Sequence, residues 1–343
     1  MTISTRLTKT CHIYLLCMLT CFGKLNAQAG EYYRLIHLAE SKVILEKYDE
    51  AIPLYNDAFA NQPTPFLKDL HNALLCSIRI EDTTTAKAII DEIVKFNIDT
   101  NFYFRSTTLA DLHAAENLYV YFKSRIRKNG VQTGTLCYFF QKLYALDQSI
   151  RQACREINTN YYAICGEEIK LLDSLNLQSL NNYFTSYGVP KDIDLCQINP
   201  STSPSYFIVI KHNMQWGRNP LDSILSEAIV HYKTHPQLYS DLVDYYNESY
   251  LKQPALYGMG YHIKLGNRLF VFEVPAELKA AINASRQAIY LDSIDEFNNK
   301  VKFQYQHPEF ILVYPQLLFT LDAGPEMEKE LAEKWKDAEV FKN

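Results

Sequence analysis

The sequence predicts a mainly α-helical protein with one small β-hairpin. Apolar residues recur every three or four positions through most of the 343-residue chain, which is the period of amphipathic helices. The period changes to alternation in "YHIKLGNRLFVFEV" (residues 261–274), on both sides of Gly266-Asn267. A two-residue turn of this kind between alternating segments predicts a hairpin.

The first 27 residues resemble a secretory signal peptide. Arg6 and Lys9 precede the apolar stretch "IYLLCMLTCF", which is shorter than the roughly 20 residues that a membrane span needs. Ala27 supplies a small residue for cleavage before Gln28. We therefore expect an exported protein, periplasmic or at the cell surface. A lipid anchor on Cys21 is the alternative.

Charge and cysteine usage exclude some functions. The formal net charge is −5 and the basic residues are scattered, which argues against nucleic-acid binding. No later stretch is long enough for a transmembrane segment. Five cysteines follow the predicted signal peptide, an odd number without a Cys-x-x-Cys motif, so their pairing stays open. They are Cys76, Cys137, Cys154, Cys165 and Cys196, of which Cys154 and Cys165 are the nearest pair.

Residues 31–63, "EYYRLIHLAESKVILEKYDEAIPLYNDAFANQP", have the apolar spacing of two paired helices. This stretch resembles a tetratricopeptide repeat, which alternates small and aromatic residues where two helices meet. The matching positions are Ala39, Tyr48, Ala51, Tyr55, Ala58 and Pro63. A weaker second copy follows, with Ala73 and Ala86 near the expected positions. Residues 28–129 are therefore predicted to form a helical repeat domain, which serves either as a platform or as a protein- or peptide-binding groove.

The stretch "KNGVQTGT" (residues 128–135) contains two glycines and several polar residues, and it predicts a domain boundary. Residues 136–343 then form a second, mainly helical domain that contains the hairpin. Within it, "YFIVI" (residues 206–210) suits a buried strand and a buried helix equally well.

Several familiar site motifs are missing from the sequence. There is no phosphate loop, dinucleotide-binding glycine motif or G-x-S-x-G elbow, and we predict no cofactor. His231 and His235 form H-x-x-x-H, but no third ligand is evident and no metal site is predicted. Asp147 and Arg151 are four residues apart and can pair along a helix face.

Read in order, residues 136–300 resemble an uncharacterised bacterial family, domain of unknown function 6624. Members of that family carry D-Q-x-x-R, a helix ending in G-W-P, Q-H-A, a helix with a late Asp-Arg, Q-x-Y-G-T-Q and a final Arg. The matching stretches here are "DQSIR" (147–151), "YGVP" (187–190), "IVIKHN" with His212, "SDLVDY" with Asp244, "QPALYGMG" (253–260) and "NASRQAIYL" with Arg286. This chain departs from the family pattern at Val189, Lys211, Tyr245, Met259 and Gly260.

The resemblance implies a set of candidate site residues but no activity, and whether the protein is an enzyme stays open. The catalytic candidates are His212, Asp147 and Asp244. The binding candidates are Gln148, Arg151, Gln253, Tyr257 and Arg286. We expect Asp147, Gln148, His212, Asp244, Tyr257 and Arg286 to converge in one region, as a site or as a buried polar network. The first functional hypothesis is an exported protein- or ligand-binding module, and the alternative is a hydrolase-like enzyme around His212, Asp147, Asp244 and Arg286.

Overall fold

The computed structural model describes residues 28–62, 64–98, 116–129, 135–157, 161–198, 200–266, 268–314, 319–321, 330–331, 333, 335 and 338–342. The predicted signal peptide, residues 1–27, lies outside the described residues. So do Pro63, Asn267 and most of the predicted domain boundary.

The fold is mainly helical, as the sequence predicts. The helices are α1 (28–44), α2 (Tyr48–Asn61), α3 (Leu67–Arg79), α4 (Thr83–Ile93), α5 (Glu116–Asn129), α6 (Thr135–Ile157), α7 (Tyr161–Tyr187), α8 (Tyr206–Met214), α9 (Asp222–Val230), α10 (Pro236–Tyr246), α11 (Ala276–Ala288) and α12 (Ile294–Gln306). A 3₁₀ turn spans Asp192–Asp194, and a π turn at Asn247–Leu251 extends α10. The ambiguous stretch 206–210 is helical and opens α8.

The predicted hairpin is confirmed and belongs to a larger sheet. Strands β3 (His262–Leu265) and β4 (Arg268–Val271) pair antiparallel, and Gly266 in the turn has φ +57°. Two further strands were not predicted: β5 (Phe319–Leu321) runs parallel to β3, and β6 (Glu339–Lys342) runs antiparallel to β4. The four-stranded order is β5-β3-β4-β6. A separate parallel pair joins β1 (Asn97–Ile98) to β2 (Cys196–Ile198).

The small residues that the repeat pattern predicts at helix contacts lie in the core. The five small residues at helix contacts are completely buried: Ala39, Ala51, Ala58, Ala73 and Ala86. Helix α3 packs against both α2 and α4. Small side chains at these positions let neighbouring helices approach closely, and a larger residue would overpack the contact.

Helix α3 is the centre of the N-terminal half, because every residue from Leu67 to Ser77 is buried. One of its faces is covered by the segment 309–314. The Asn72 amide donates to the Ile311 carbonyl oxygen and accepts from the Ile311 N–H, both at 2.8 Å. His71 Nε2 lies 2.9 Å from the carbonyl oxygen of Glu309. The chain's own segment therefore covers the face of α3 that carries His71 and Asn72.

A single hydrophobic core runs from α1 to residues 310–314. Tyr33 of α1 donates its hydroxyl proton to the carbonyl oxygen of Ile229 at 3.1 Å, and Tyr48 stacks on Phe310. The N-terminal helices thus share buried contacts with the C-terminal half. The division of the chain at residues 128–135 remains a prediction.

A buried network of charged side chains ties α1 and α3 to the C-terminal helices. Lys300 of α12 contacts Glu40 of α1 at 2.5 Å and Asp292 at 2.7 Å. Lys68 of α3 contacts Glu40 at 2.6 Å. Burial alone would raise the pKa of Glu40, but Lys300 and Lys68 hold that pKa well below its ordinary value. The network balances three carboxylates against three cations: Glu40, Asp69, Asp292, Lys68, Lys300 and Arg286.

We predict that Lys300→Met destabilises the protein by roughly 3–5 kcal/mol, because it removes one cation from two buried carboxylates. The free energy of unfolding is measured by urea denaturation. Lys302→Met is the matched control on the same helix, since Lys302 is partly exposed and pairs with exposed Glu339. The control should cost no more than about 1 kcal/mol. Equal losses in the two variants would contradict the prediction.

A second prediction concerns pH and Asp192, which accepts from the Leu67 N–H at the start of α3. Burial raises the pKa of Asp192 from 3.8 to about 6, and the charges of Asp69 and Asp194 add to this rise. The folded state therefore binds the proton more tightly than the unfolded state. The stability contributed by this group is complete below its unfolded pKa and is lost as pH rises through about 6.

Asp192→Asn should remove this loss while keeping an oxygen acceptor for Leu67. Urea midpoints measured across the interval from about pH 4 to pH 7 should therefore fall less steeply with pH in the variant than in the wild type. Parallel profiles for the two proteins would show that Asp192 does not contribute this pH dependence.

Candidate functional site

Asp147, in α6, is the centre of a buried cluster. Its carboxylate accepts from Arg151 Nη1 at 3.0 Å and from Gln148 Nε2 at 2.7 Å. It also accepts from His212 Nδ1, which lies 2.9 Å from Oδ2. Asp147 itself is completely buried. In the "DQSIR" motif, Gln148 and Arg151 therefore bond a buried Asp147 that also contacts His212 from α8, so the motif is not an exposed salt bridge.

Arg151 links this carboxylate to a second one. Its Nη2 contacts both oxygens of Asp173, in α7, at 2.8 Å. Burial opposes the charge on Arg151, but its hydrogen bond to Asp173 and the charge of Asp147 raise its pKa above the ordinary value. Asp173 also accepts from the indole N–H of Trp216 at 2.8 Å. Both carboxylates thus share one guanidinium.

The local sequence explains why these side chains meet. Asp147 and Arg151 are one turn apart on α6, and Asp173 follows Ile169 by one turn on the buried face of α7. The two helices pack together, and a disulfide between Cys154 and Cys165 joins their facing ends. This is the nearest of the possible cysteine pairs, whereas Cys76 is free and buried.

His212 lies at the edge of the cluster, with 18% of its side chain exposed. An ionised carboxylate only accepts hydrogen bonds, so a neutral His212 must carry its proton on Nδ1 to bond Asp147. The lone pair then lies on Nε2. Among the described residues, no protein atom is hydrogen-bonded to Nε2. A histidine oriented by a buried acid, with its second nitrogen unoccupied, has the geometry of a general acid–base group.

Ligand atoms of Asp147, Asp173 and His212 lie within 4.8 Å of one another, which is close enough for a metal ion. The arrangement does not fit one, however. Arg151 contacts both carboxylates and compensates their charge. A bound cation would have to displace this guanidinium, at the cost of breaking a buried ion pair.

Asp244 takes part in a different set of hydrogen bonds from Asp147. Its buried carboxylate accepts from the backbone N–H groups of Leu256, Tyr257 and Met259 at 2.7–2.8 Å. Burial raises the pKa of Asp244, and these three hydrogen bonds oppose the rise. Asp244 therefore positions a loop, and all its observed contacts are with backbone.

Arg286 supports the same loop from α11. Its Nη1 donates to the Tyr257 carbonyl oxygen at 2.8 Å, and its Nη2 pairs with Asp292 at 2.9 Å. Arg286 is completely buried, and Phe297 packs against its guanidinium. Through Asp292 it joins the charge network of Lys300. Tyr257 is buried, and it is the backbone N–H and carbonyl groups of Tyr257 that bond Asp244 and Arg286.

Two other candidates are also placed by the structure. Gln253 is exposed, and its backbone N–H donates to the Asn247 carbonyl oxygen at 3.0 Å. His231 and His235 do not form a common metal site. His235 is buried and caps α10 by accepting from the Gln237 N–H, whereas His231 is partly exposed and lies 3.9 Å from Glu227.

Sequence reasoning missed Asp173, Trp216 and the Glu40–Lys300 pair. The signal for Asp173 is that it stands on the apolar period of α7, one turn from Ile169 and one turn from Leu177. Lys300 likewise stands between Phe297 and Val301 on the buried face of α12. A charged residue at an apolar position of a helix predicts a buried ion pair, although it does not identify the partner.

No family model, curated protein or solved structure matches this chain. The resemblance to the uncharacterised family therefore remains a prediction. Within the described residues, none of the helices combines the length and the apolar character that crossing a membrane requires.

We predict that Arg286→Ala destabilises the fold by roughly 3–5 kcal/mol, because it leaves Asp292 with one cation fewer and the Tyr257 carbonyl without its donor. Thermal and urea unfolding measure the loss. Arg34→Ala is the control, since Arg34 forms an exposed pair with Glu31 and should change stability by less than about 1 kcal/mol. A stable Arg286→Ala variant would reassign Arg286 from the loop support to a ligand site.

Proposed function

We propose that the protein is a hydrolase-like enzyme in which His212 acts as the general acid–base group. The contact between Asp147 and His212 Nδ1, at 2.9 Å, carries this proposal. Asp147 is buried and fully hydrogen-bonded, and His212 stands where the cluster meets solvent. One ring nitrogen of His212 is therefore bonded to the buried network, and the other has no hydrogen-bond partner among the described residues.

The chemistry follows from this geometry. Nε2 of a neutral His212 can take a proton from a water molecule as that water attacks a substrate, and it can return the proton to the leaving group. Asp147 holds the imidazole in place and stabilises the imidazolium that forms. Asp147, Asp173 and Arg151 together have a formal charge of −1. Protonation of His212 brings the charge of the cluster to zero.

The compartment that we propose is outside the cytoplasm. The charged N-terminus, the short apolar stretch and Ala27 support export. The disulfide between Cys154 and Cys165 supports an oxidising compartment. N-terminal sequencing of the native protein should find Gln28 as the first residue, and an intact Met1 or a lipid-modified Cys21 would contradict this.

The test of the catalytic proposal is His212→Gln, assayed with chromogenic esters, glycosides, amides and phosphate esters. We expect the wild type to hydrolyse one class and the variant to lose about 10²–10⁴-fold in kcat/KM. Melting temperatures should be similar, because His212 is partly exposed. The control is His231→Gln, which removes an exposed histidine that has no contact with Asp147.

Two results would contradict the proposal. One is that the wild type hydrolyses none of the four classes. The other is that His212→Gln and His231→Gln retain equal activity.

A second candidate is protein or peptide binding through the helical repeats. Residues 309–314 cover α3 on the face that carries His71 and Asn72, so a partner would need another surface. A depression of about 400 Å³ between α4 and α5 favours this possibility. It is lined by Thr83, Lys87, Asn117, Leu118, Val120, Tyr121 and Ser124.

A further inference from the structure

Asp147 determines which atoms its two neighbours offer to a ligand. A carboxylate accepts hydrogen bonds and donates none, so Gln148 must turn its Nε2 amide toward Asp147 and direct Oε1 away. For the same reason His212 donates from Nδ1 and presents its Nε2 lone pair. Neither outward atom has a hydrogen-bond partner in the part of the chain that the structure describes. Both outward atoms are hydrogen-bond acceptors that belong to residues bonded to Asp147.

Two acceptors select a ligand that supplies hydrogen-bond donors. Carboxylates and phosphates are acceptors themselves and would find no donor in this pair. Hydroxyl groups and ammonium groups remain as the matching chemistry.

Two aromatic rings adjoin the same cluster through Asp173. Trp216 follows His212 by about one turn, and the hydrogen bond from its indole N–H to Asp173 fixes its ring. The Tyr162 ring lies 6.2 Å from the Trp216 ring, is 38% exposed, and donates from its hydroxyl to Gln215 Oε1 at 3.5 Å. The site thus combines polar acceptors with partly exposed apolar ring surface.

Two cationic side chains lie near the Trp216 ring. Lys170 Nζ lies 5.8 Å from the centre of the Trp216 ring. Arg218 donates to the Lys170 carbonyl oxygen at 3.3 Å, so a second positive charge is close by. A cationic ligand would be repelled here, whereas a neutral ligand would gain a donor from Lys170.

We propose that the site around His212 binds a neutral saccharide. A pyranose ring has hydroxyl donors at its edge and an apolar C–H face, and these match the two acceptors and the ring of Tyr162. The proposal rests on the proposed function only in placing the ligand at His212. It adds the substrate class, which would make the hydrolysed bond a glycosidic one.

The test is isothermal titration calorimetry of the full chain with maltotriose, cellotriose and N,N′,N″-triacetylchitotriose. We expect at least one of these sugars to bind, and Tyr162→Ala to raise its Kd by about tenfold through loss of the stacking ring. Tyr162→Phe keeps the ring and should bind within about twofold of the wild type. Tyr187→Ala is the matched control, because Tyr187 is on the same helix and 75% exposed, and its Kd should not change.

Four outcomes would overturn the proposal. The three sugars show no binding up to about 10 mM; Tyr162→Ala leaves the Kd unchanged; Tyr187→Ala weakens binding as much as Tyr162→Ala does; or inorganic phosphate or spermidine binds in place of the sugars. These failures are distinct from failure of the proposed function. Loss of ester hydrolysis in His212→Gln without sugar binding would retain the enzyme and reject the saccharide. Sugar binding without hydrolysis would do the reverse.

Discussion

The fold depends on the charge balance around Lys300. This buried ammonium contacts Glu40 from the first described helix and Asp292 from the C-terminal half. Taking any one of these charges out of water costs several kcal/mol, so each is tolerated only while its partners are in place. The core can therefore close only when α1, α3 and α12 are correctly placed together. The apolar contacts around the network add stability, but the ions restrict which arrangement is accepted.

In the cluster around Asp147, a buried cation again compensates two buried carboxylates. Arg151 satisfies Asp147 and Asp173 in a buried setting, as Lys300 does for Glu40 and Asp292. The difference is His212, which is bonded to the cluster through one ring nitrogen and reaches solvent with part of its ring. The network of Lys300 and Arg286 also has a partly exposed histidine, His37, but both of its ring nitrogens lie within hydrogen-bond distance of protein atoms, Lys300 Nζ and the Tyr290 carbonyl oxygen. Within the described part of the chain His212 keeps Nε2 open, so the cluster around Asp147 can also exchange protons with a ligand or with solvent.

Sequence reasoning succeeded where the determining contacts are local. The hairpin at Gly266 and the small residue Ala51 depend on neighbours a few positions away, so period and turn chemistry predict them. It did not identify the partners of Asp244 and Arg286, because family order does not say whether a polar side chain binds a ligand or the protein backbone. It also missed β5 and β6, which join the hairpin from distant parts of the chain. Partners such as Asp173 need the packing of whole helices to be identified.

The pair of hydrogen bonds between Asn72 and Ile311 has a consequence for folding during synthesis. The two residues are separated by 239 positions, and Glu40 and Lys300 are separated by 260. Contacts between such distant positions slow folding, because a long loop must close before they form. While the chain grows, Lys68 and Asn72 have no late partner, and α3 stays incompletely buried. Completion of the N-terminal half is therefore coupled to the arrival of the last third of the polypeptide.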